Sequence, residues 1–114
     1  MHDTIFDKIV RKEIPANIIY EDDVVLAFRD VEPQAPQHIL VIPKQKYKSF
    51  ANLSEADSSF VGEYMKRIAQ VAEQAGLKAS GYRVVFNHGK NGQQSVDYIH
   101  AHILGDRMMK WPPG

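Results

Sequence analysis

Two histidines stand one residue apart in the segment YIHAHIL, residues 98–104. Histidine suits nucleophilic, acid or base chemistry near neutral pH, because its ordinary pKa lies close to that range. Side chains alternate along a strand, so a strand here places His100 and His102 on one face together with Tyr98. The apolar residues between them then pack against the core, which leaves the histidine face free to serve a site.

The histidine pair follows a loop that is suited to binding an anion. Its sequence is Gly92-Gln93-Gln94-Ser95. Glycine permits a close approach of the backbone, and free N–H groups in such a turn can cradle a phosphate. Histidines that face this loop indicate phosphoryl chemistry. The alternative is a pair of surface histidines on a sheet face with no catalytic role.

A metal site is a further alternative for the same spacing. An H-x-H pair on a strand can supply two ligands of a zinc site, with His38 as a third. Such sites usually have carboxylate or imidazole groups that support the ligands. Asp97 points to the opposite face from His100, and we find no nearby acidic residue to support the pair. The preferred hypothesis therefore has no metal.

The first part of the chain predicts a short helix and a hairpin. Residues 4–12 place apolar side chains at helical spacing, and Pro15 closes that segment. The runs 17–21 and 24–30 are β-branched and aromatic and flank Asp22-Asp23, which is typical of a hairpin. Two strands joined in this way would begin an antiparallel sheet.

The second strand of the hairpin presents a polar residue at its end. Leu26, Phe28 and Asp30 share one face of it, because strand side chains alternate. A loop with two prolines follows, and His38–Pro43 reads as the third strand. Asp30 and His38 therefore flank the same loop.

The clearest predicted element is a long helix in the middle of the chain. Ser54 and Asp57 resemble a capping box, with Asp in place of the usual Glu or Gln. An apolar stripe with a 3.6-residue period follows, and Gly76 supplies a left-handed stop. The stripe consists of Phe60, Val61, Tyr64, Met65, Ile68, Val71, Ala72 and Ala75.

Two more strands are expected, over residues 82–87 and 98–104. Consecutive strands with one long helix between the third and the fourth predict an α+β fold. We expect a five-stranded antiparallel sheet with one long and one short helix. At 114 residues, the chain suits a single domain over residues 1–114.

Composition narrows the classes of partner. The chain has 14 basic and 14 acidic residues, so no excess positive charge draws it to nucleic acid or to an anionic membrane. The cluster Lys44, Lys46 and Lys48 is interpreted as a solvated strand exit. Cysteine is absent, no stretch is long and apolar enough to span a membrane, and residues 1–10 do not resemble a signal peptide. We expect a cytoplasmic protein, which in a eukaryotic cell could also be found in the nucleus.

Several blocks of the sequence together resemble the histidine-triad (HIT) family, and within it the Hint branch of purine nucleoside phosphoramidases. GQQSV at 92–96 and HAHILG at 100–105 are similar to the family signature. Further blocks that fit are DTIF at 3–6, KEIPA at 12–16, PQAP at 33–36 with His38, VIPK at 41–44, and WPPG at 111–114. The order of these blocks is specific, and the resemblance extends over nearly the whole chain and implies a HIT-like fold.

The resemblance implies a division of chemical roles. His100 would be the nucleophile that attacks the α-phosphorus of a nucleotide, oriented by the backbone carbonyl of Tyr98. Its imidazole must be neutral, so that one nitrogen carries the proton and the other aims its lone pair at phosphorus. His102 and Ser95 would hold the phosphate oxygens and help to protonate the departing amine.

The resemblance also implies a nucleotide pocket. Backbone N–H groups near Gln94 and Val96 would steady the pentavalent phosphorus, and Asp30 would accept hydrogen bonds from the ribose hydroxyls. The other implied pocket residues are Ile9, Phe28 and Val31 around the base, and His38 and Asn87 near the phosphate and the nucleophile. Structural alternatives remain: Ile9 and Phe28 as plain core, Asp30 as a turn residue, and His38 as an ordinary strand-start histidine.

The sequence departs from the family pattern at the first histidine of the triad, where Tyr98 stands. Asp106 replaces a common glycine in the loop after the last histidine. The nucleophile and the last histidine remain, and a backbone carbonyl at residue 98 does not depend on its side chain. The departure bears on the tuning of the pocket, and so on rate or on leaving-group preference.

The preferred hypothesis is an enzyme that cleaves the P–N bond of adenosine or guanosine phosphoramidates through a nucleotidyl-histidine, without a metal or an organic cofactor. The competing hypotheses are a non-catalytic purine-nucleotide-binding or scaffold protein and a zinc-binding protein that uses the H-x-H pair. By resemblance, two copies would pair through the long helix and the fourth strand into a ten-stranded sheet. Trp111 would then reach toward the partner's site.

Overall fold

The computed structural model describes residues 2–114, and its elements follow the predicted order. The helices are α1 (Ile5–Val10), a 3-10 helix (Phe50–Glu55) and α2 (Ser58–Gln74). The strands are β1 (Ile18–Glu21), β2 (Val25–Arg29), β3 (Gln37–Pro43), β4 (Tyr82–Val85) and β5 (Ala101–Gly105). They form one antiparallel sheet in the order β1-β2-β3-β5-β4. The predicted α+β class with five strands is confirmed.

The two faces of the sheet carry two separate apolar clusters. On one face α2 packs through Tyr64, Ile68, Val71 and Ala72 onto residues such as Ile103. On the other face α1 packs onto β2 and β3. The first cluster comprises Val25, Ala27, Ile39, Val41, Tyr64, Ile68, Val71, Ala72, Leu77, Ile99, Ala101 and Ile103. The second comprises Phe6, Ile9, Leu26, Phe28, Leu40, Ile42 and Tyr98.

The alternation predicted around the histidine pair is confirmed, although strand β5 is shorter than expected. Ile99 belongs to the cluster under α2, whereas Tyr98 belongs to the cluster under α1. Pairing of β5 with β3 begins only at Ala101. Before it, the amide of Ile99 donates to the carbonyl of Tyr47 at 2.7 Å, outside the strand. The side chains of Tyr98 and Ile99 still lie on opposite faces of the sheet, so the period of two is kept.

The start of the long helix differs from the prediction. Asp57 alone is the N-cap, and its carboxylate accepts the amide of Ser59 at 2.8 Å. Ser54 lies within the 3-10 helix, which ends before Ala56, so the expected capping box of Ser54 and Asp57 is wrong. The stop at Gly76 is confirmed, since this residue has φ +82, a conformation that favours glycine.

No helix within residues 2–114 is both long and apolar enough to cross a membrane.

Candidate active site

The sheet register brings histidine and apolar side chains onto one face beside α1. Phe28 of β2 pairs with Leu40 of β3, and Leu40 pairs with His102 of β5. Directly paired antiparallel residues share a face. Leu40 and His102 therefore lie on the face that α1 covers, and His38 lies on it as well, because it is two residues from Leu40.

A backbone group fixes the orientation of the His100 imidazole. Its side chain is buried, and its Nδ1 lies 2.7 Å from the carbonyl oxygen of Tyr98. A carbonyl can only accept, so Nδ1 carries the proton and Nε2 keeps its lone pair. Burial lowers the pKa of His100 below its usual 6.5, although the Tyr98 carbonyl and the Asp30 charge oppose this shift. The imidazole is therefore neutral at pH 7.

His102 and His38 are in direct contact. His38 Nε2 lies 2.8 Å from His102 Nδ1, and the backbone amide of Gln34 donates to His38 Nδ1 at 3.0 Å. Burial, together with the neighbouring His100 and His38, lowers the pKa of His102 to about 4, although the charge of Asp30 opposes this shift. Its Nε2 is buried and has no hydrogen-bond partner within residues 2–114. An unpartnered buried polar atom of this kind indicates a place for a ligand.

These histidines open onto a cavity of ≈ 530 Å³ between α1, β2 and the loop after residue 92. One end is polar and contains Ser95, His100 and His102. The other end is apolar, whereas Asp30 lies beside His102, with ligand atoms of the two residues within 4.8 Å of each other. The apolar lining includes Ile5, Phe6, Ile9, Ile14, Phe28, Val31 and Leu40. A slot of this size with few polar groups at one end suits a mononucleotide.

Most of the predicted site residues meet at this cavity. The residues that line it are His100, His102, Ser95, Asp30, Val31, Phe28, Ile9 and Val96. His38 lies behind His102 and does not line the cavity, and neither do Gln94 and Asn87. The side chain of Gln94 accepts the amide of Gly89 at 3.1 Å and donates to the carbonyl of Val96 at 3.0 Å. Gln94 therefore holds the loop together through its side chain and does not face the cavity.

The structure adds residues that the sequence did not assign to the site. Ile5 and Phe6 line the cavity, and the ring of Phe6 meets that of His100 edge-on at 5.0 Å between centroids. Their helical spacing indicated only that one face of α1 is apolar. Because residues of the hydrophobic core have the same spacing, the sequence could not show that these two line a pocket.

An acidic residue does lie near the histidine pair, contrary to the sequence-based expectation. Asp30 Oδ2 is 3.4 Å from His38 Nε2. Asp30 and His38 flank one loop, and the amide of Asp30 donates to the carbonyl of His38 at 2.9 Å. This closure of the loop brings together two side chains that are eight residues apart in sequence.

The metal alternative meets a geometric obstacle. Within the described residues, the ligand atoms of Asp30, His38 and His102 lie within 4.8 Å of one another, and His100 is not among them. Two nitrogens on one tetrahedral zinc would be roughly 3.3 Å apart. The 2.8 Å between His38 Nε2 and His102 Nδ1 instead fits a hydrogen bond. This arrangement does not fit a zinc ion.

Comparison with known proteins identifies the family. A model of the HIT domain matches residues 11–109. The chain belongs to the HIT family. A solved HIT family hydrolase from Legionella pneumophila Philadelphia 1 superposes with a TM-score of 0.93 at 44% identity, and the match covers 98% of this chain and 100% of that one. The predicted HIT-like fold is therefore confirmed.

Two plant relatives are similar along almost the whole chain. Adenylylsulfatase HINT1 of Arabidopsis thaliana is 50% identical over 114 residues, covering 97% of this chain and 76% of that protein. The 14 kDa zinc-binding protein of Zea mays is 53% identical over 113 residues, covering 97% of this chain and 88% of that protein. The predicted resemblance to the Hint branch is confirmed by these relatives.

Proposed function

We propose that this HIT protein hydrolyses purine nucleoside 5′-phosphoramidates, with His100 as the nucleophile. The observation that carries the proposal is the pairing of two unlike imidazole nitrogens at the polar end of the cavity. His100 Nε2 presents a free lone pair, and His102 Nε2 is buried without a partner. Between them they offer a nucleophile for phosphorus and a contact for a phosphate oxygen.

The reaction proceeds in two displacements. His100 Nε2 bonds to the α-phosphorus as the P–N bond breaks, and the departing amine takes a proton from the Ser95 and His102 pair. Water then attacks the phosphorus of the nucleotidyl-histidine and gives a proton back to that pair. The P–Nε2 bond breaks, which releases the mononucleotide and returns the electron pair to Nε2. In this scheme Ser95 and His102, which line the cavity, contact the phosphate oxygens, and Asp30, which also lines it, accepts hydrogen bonds from the ribose hydroxyls.

The preference for a purine rests on the resemblance and on the shape of the apolar end. Phe28 and Ile9 line the cavity, and so does Val31, whose side chain is 94% exposed. An exposed apolar side chain beside such a slot can cover one face of a base. No cofactor takes part in this scheme. The name of the Arabidopsis relative adds adenylyl sulfate as a second substrate to test.

The decisive assay uses an adenosine phosphoramidate with a fluorescent amine, in the presence of EDTA. We expect turnover by the wild-type protein and a nucleotidyl adduct on His100 in acid-quenched intact-mass spectra. His100→Asn should abolish turnover and keep mononucleotide binding within about tenfold, or ~1.4 kcal/mol. His88→Asn is the matched control, because His88 is exposed and lies outside the cavity.

Three results would reject parts of the proposal. Full activity of His100→Asn would remove the assignment of the nucleophile. Tight mononucleotide binding without turnover in the wild type would favour the non-catalytic binding or scaffold protein. Turnover that EDTA abolishes and zinc restores would favour the zinc-binding alternative.

The protein is also proposed to act as a homodimer. Strand β4 is at the edge of the sheet, and Val84 pairs with the fully buried Ile103, so both face the α2 layer. Val84 is nevertheless 40% exposed, because α2 does not extend over β4. A second copy related by a two-fold axis would cover Val84 and would pair its own β4 with the free edge of this β4. The indole of Trp111, 80% exposed, is available for the partner's site.

A further inference from the structure

We propose that the backbone amide of Gln34 sets the proton positions on His38 and His102, and so makes His102 Nε2 a donor toward the substrate phosphate. This inference rests on the proposed function in one respect, because the phosphate that His102 contacts is that of the proposed substrate. Gln34 would then be a positioning residue that acts through two imidazoles and never touches the substrate.

The first step is fixed by a group that can only donate. The N–H of Gln34 points at His38 Nδ1 over 3.0 Å. That nitrogen must therefore offer its lone pair, and in a neutral imidazole the proton then lies on Nε2. Burial lowers the pKa of His38, so the neutral form is the relevant one at pH 7. His38 is thus held in its Nε2–H tautomer.

The second step transmits this choice to His102. His38 Nε2–H lies 2.8 Å from His102 Nδ1, so that nitrogen must accept. Neutral His102 then carries its proton on Nε2, the buried atom without a partner at the cavity. The result is a hydrogen-bond donor aimed at the place of the phosphate.

His100 has the opposite tautomer for a parallel reason. The carbonyl of Tyr98 can only accept, so it places the His100 proton on Nδ1 and leaves the lone pair on Nε2. One backbone donor and one backbone acceptor therefore give two neighbouring histidines opposite characters at the cavity. Their ring centroids are only 4.9 Å apart.

The other tautomer of His102 would work against the reaction. If Gln34 did not occupy His38 Nδ1, the chain could reverse, with His102 Nδ1 donating to His38 Nε2. His102 Nε2 would then turn a lone pair toward the phosphate oxygens and repel them. Loss of one donor that contacts a developing negative charge typically lowers kcat on the order of 10²-fold.

The loop that carries Gln34 is held at several points. The amide of Glu32 donates to Asp30 Oδ1 at 2.8 Å, and the side chain of Gln34 donates to the carbonyl of Glu32 at 3.0 Å. Arg107 Nε donates to the carbonyl of Gln34 at 3.1 Å. The contacts of Glu32 with Asp30 and of Arg107 with the Gln34 carbonyl do not use the Gln34 side chain, so the Gln34 amide keeps its direction toward His38 even where that side chain is shortened.

The test reads the tautomers directly, by long-range ¹H–¹⁵N correlation NMR of the imidazoles at pH 7 without substrate. In the wild type we expect His38 and His102 protonated on Nε2 and His100 protonated on Nδ1. Gln34→Pro removes the amide proton and should give mixed tautomers of His38 and His102. Its kcat should fall on the order of 10²-fold. Gln34→Ala keeps the amide and is the matched control, in which the wild-type tautomers are expected.

A wild-type spectrum with the proton of His38 or His102 on Nδ1 would overturn the inference, and so would a folded Gln34→Pro protein with unchanged tautomers. If Gln34→Pro fails to fold, the wild-type spectrum alone decides. The spectra need no turnover, so an inactive wild-type protein would reject the proposed function and leave the tautomer result standing.

Discussion

Tyr98 stands where the family pattern has a histidine, and its environment explains how the site accommodates it. The ring is almost fully buried and lies edge-on to Phe6, with centroids 6.1 Å apart. Its hydroxyl donates to the carbonyl of Pro43, at the end of β3. Burial raises the pKa of the phenol, so it stays protonated at neutral pH. The phenol proton is therefore engaged with the backbone and is directed away from the phosphate site.

Tyr98→Phe should separate stability from catalysis. Removing the hydroxyl leaves the buried Pro43 carbonyl with one partner fewer, so we expect a loss of about 1 kcal/mol and a melting temperature lower by several degrees. The carbonyl of residue 98 still orients His100, so kcat should stay within about tenfold of wild type. A loss of more than about a thousandfold in a folded variant that still binds nucleotide would instead make the phenol a catalytic acid.

The pH dependence should follow the nucleophile. Burial lowers the pKa of His100 below 6.5, so its Nε2 lone pair is free at pH 7 and is lost only on further acidification. We expect kcat/KM to be level between pH 7 and 8 and to fall on the acid side with a midpoint below 6.5. His88→Asn should show the same profile. An acid limb centred at or above pH 7 would show that burial does not keep His100 neutral.

At the scale of elements, α1 forms one wall of the cavity, and Lys46 links this helix to the segment that follows β3. Lys46 Nζ lies 2.8 Å from Asp7 Oδ2 and 2.8 Å from the carbonyl of His2. Asp7 also closes a capping box with Thr4 at the start of the helix. The interpretation of Lys46 as part of a solvated strand exit is wrong, because only 19% of its side chain is exposed and its ammonium group pairs with Asp7.

Lys46→Met should therefore weaken substrate binding more than catalysis. The helix carries Phe6 and Ile9 into the cavity, while His100 is held by its own backbone contact. We expect KM for the phosphoramidate to rise about threefold to tenfold with kcat nearly unchanged, which steady-state kinetics would measure. Lys44→Met is the matched control, since Lys44 pairs with Glu21 away from the cavity. Equal effects of the two variants would exclude this role of Lys46.

The sequence predicted the helices and strands well, but it did not predict the side-chain contacts that form where loops join them. The period of two around His100 and the stripe of α2 are local patterns that the chain must satisfy to bury its apolar side chains. The contact of Asp30 with His38, and that of Lys46 with Asp7, depend on how loops close between elements. One member of each pair, Asp30 or Lys46, lies in a loop and follows no period, so spacing held no signal for either contact.

At the scale of the whole molecule, one side of the sheet is less well covered than the other. A groove of ≈ 650 Å³ lies along β4 and is lined by Tyr82, Val84 and Met108, among others. Met108 is 91% exposed and Tyr82 is 37% exposed. Apolar side chains grouped beside a free strand edge are typical of an interface. The ten-stranded sheet of the proposed dimer would place this strip at the two-fold axis.

Val84→Asp is the sharpest test of that assembly. The wild-type protein should sediment at micromolar concentration with about twice the 13.0 kDa mass of the monomer. A carboxylate at position 84 would be solvated in the monomer, where the side chain is 40% exposed, but buried without a partner in the dimer. We therefore expect the variant to sediment as a monomer with an intact far-UV spectrum. The matched control is Val31→Asp, whose exposed side chain lies at the cavity mouth, away from β4, and which should remain dimeric. A wild-type monomer, or a Val84→Asp dimer as stable as the wild type, would place the interface elsewhere or remove it.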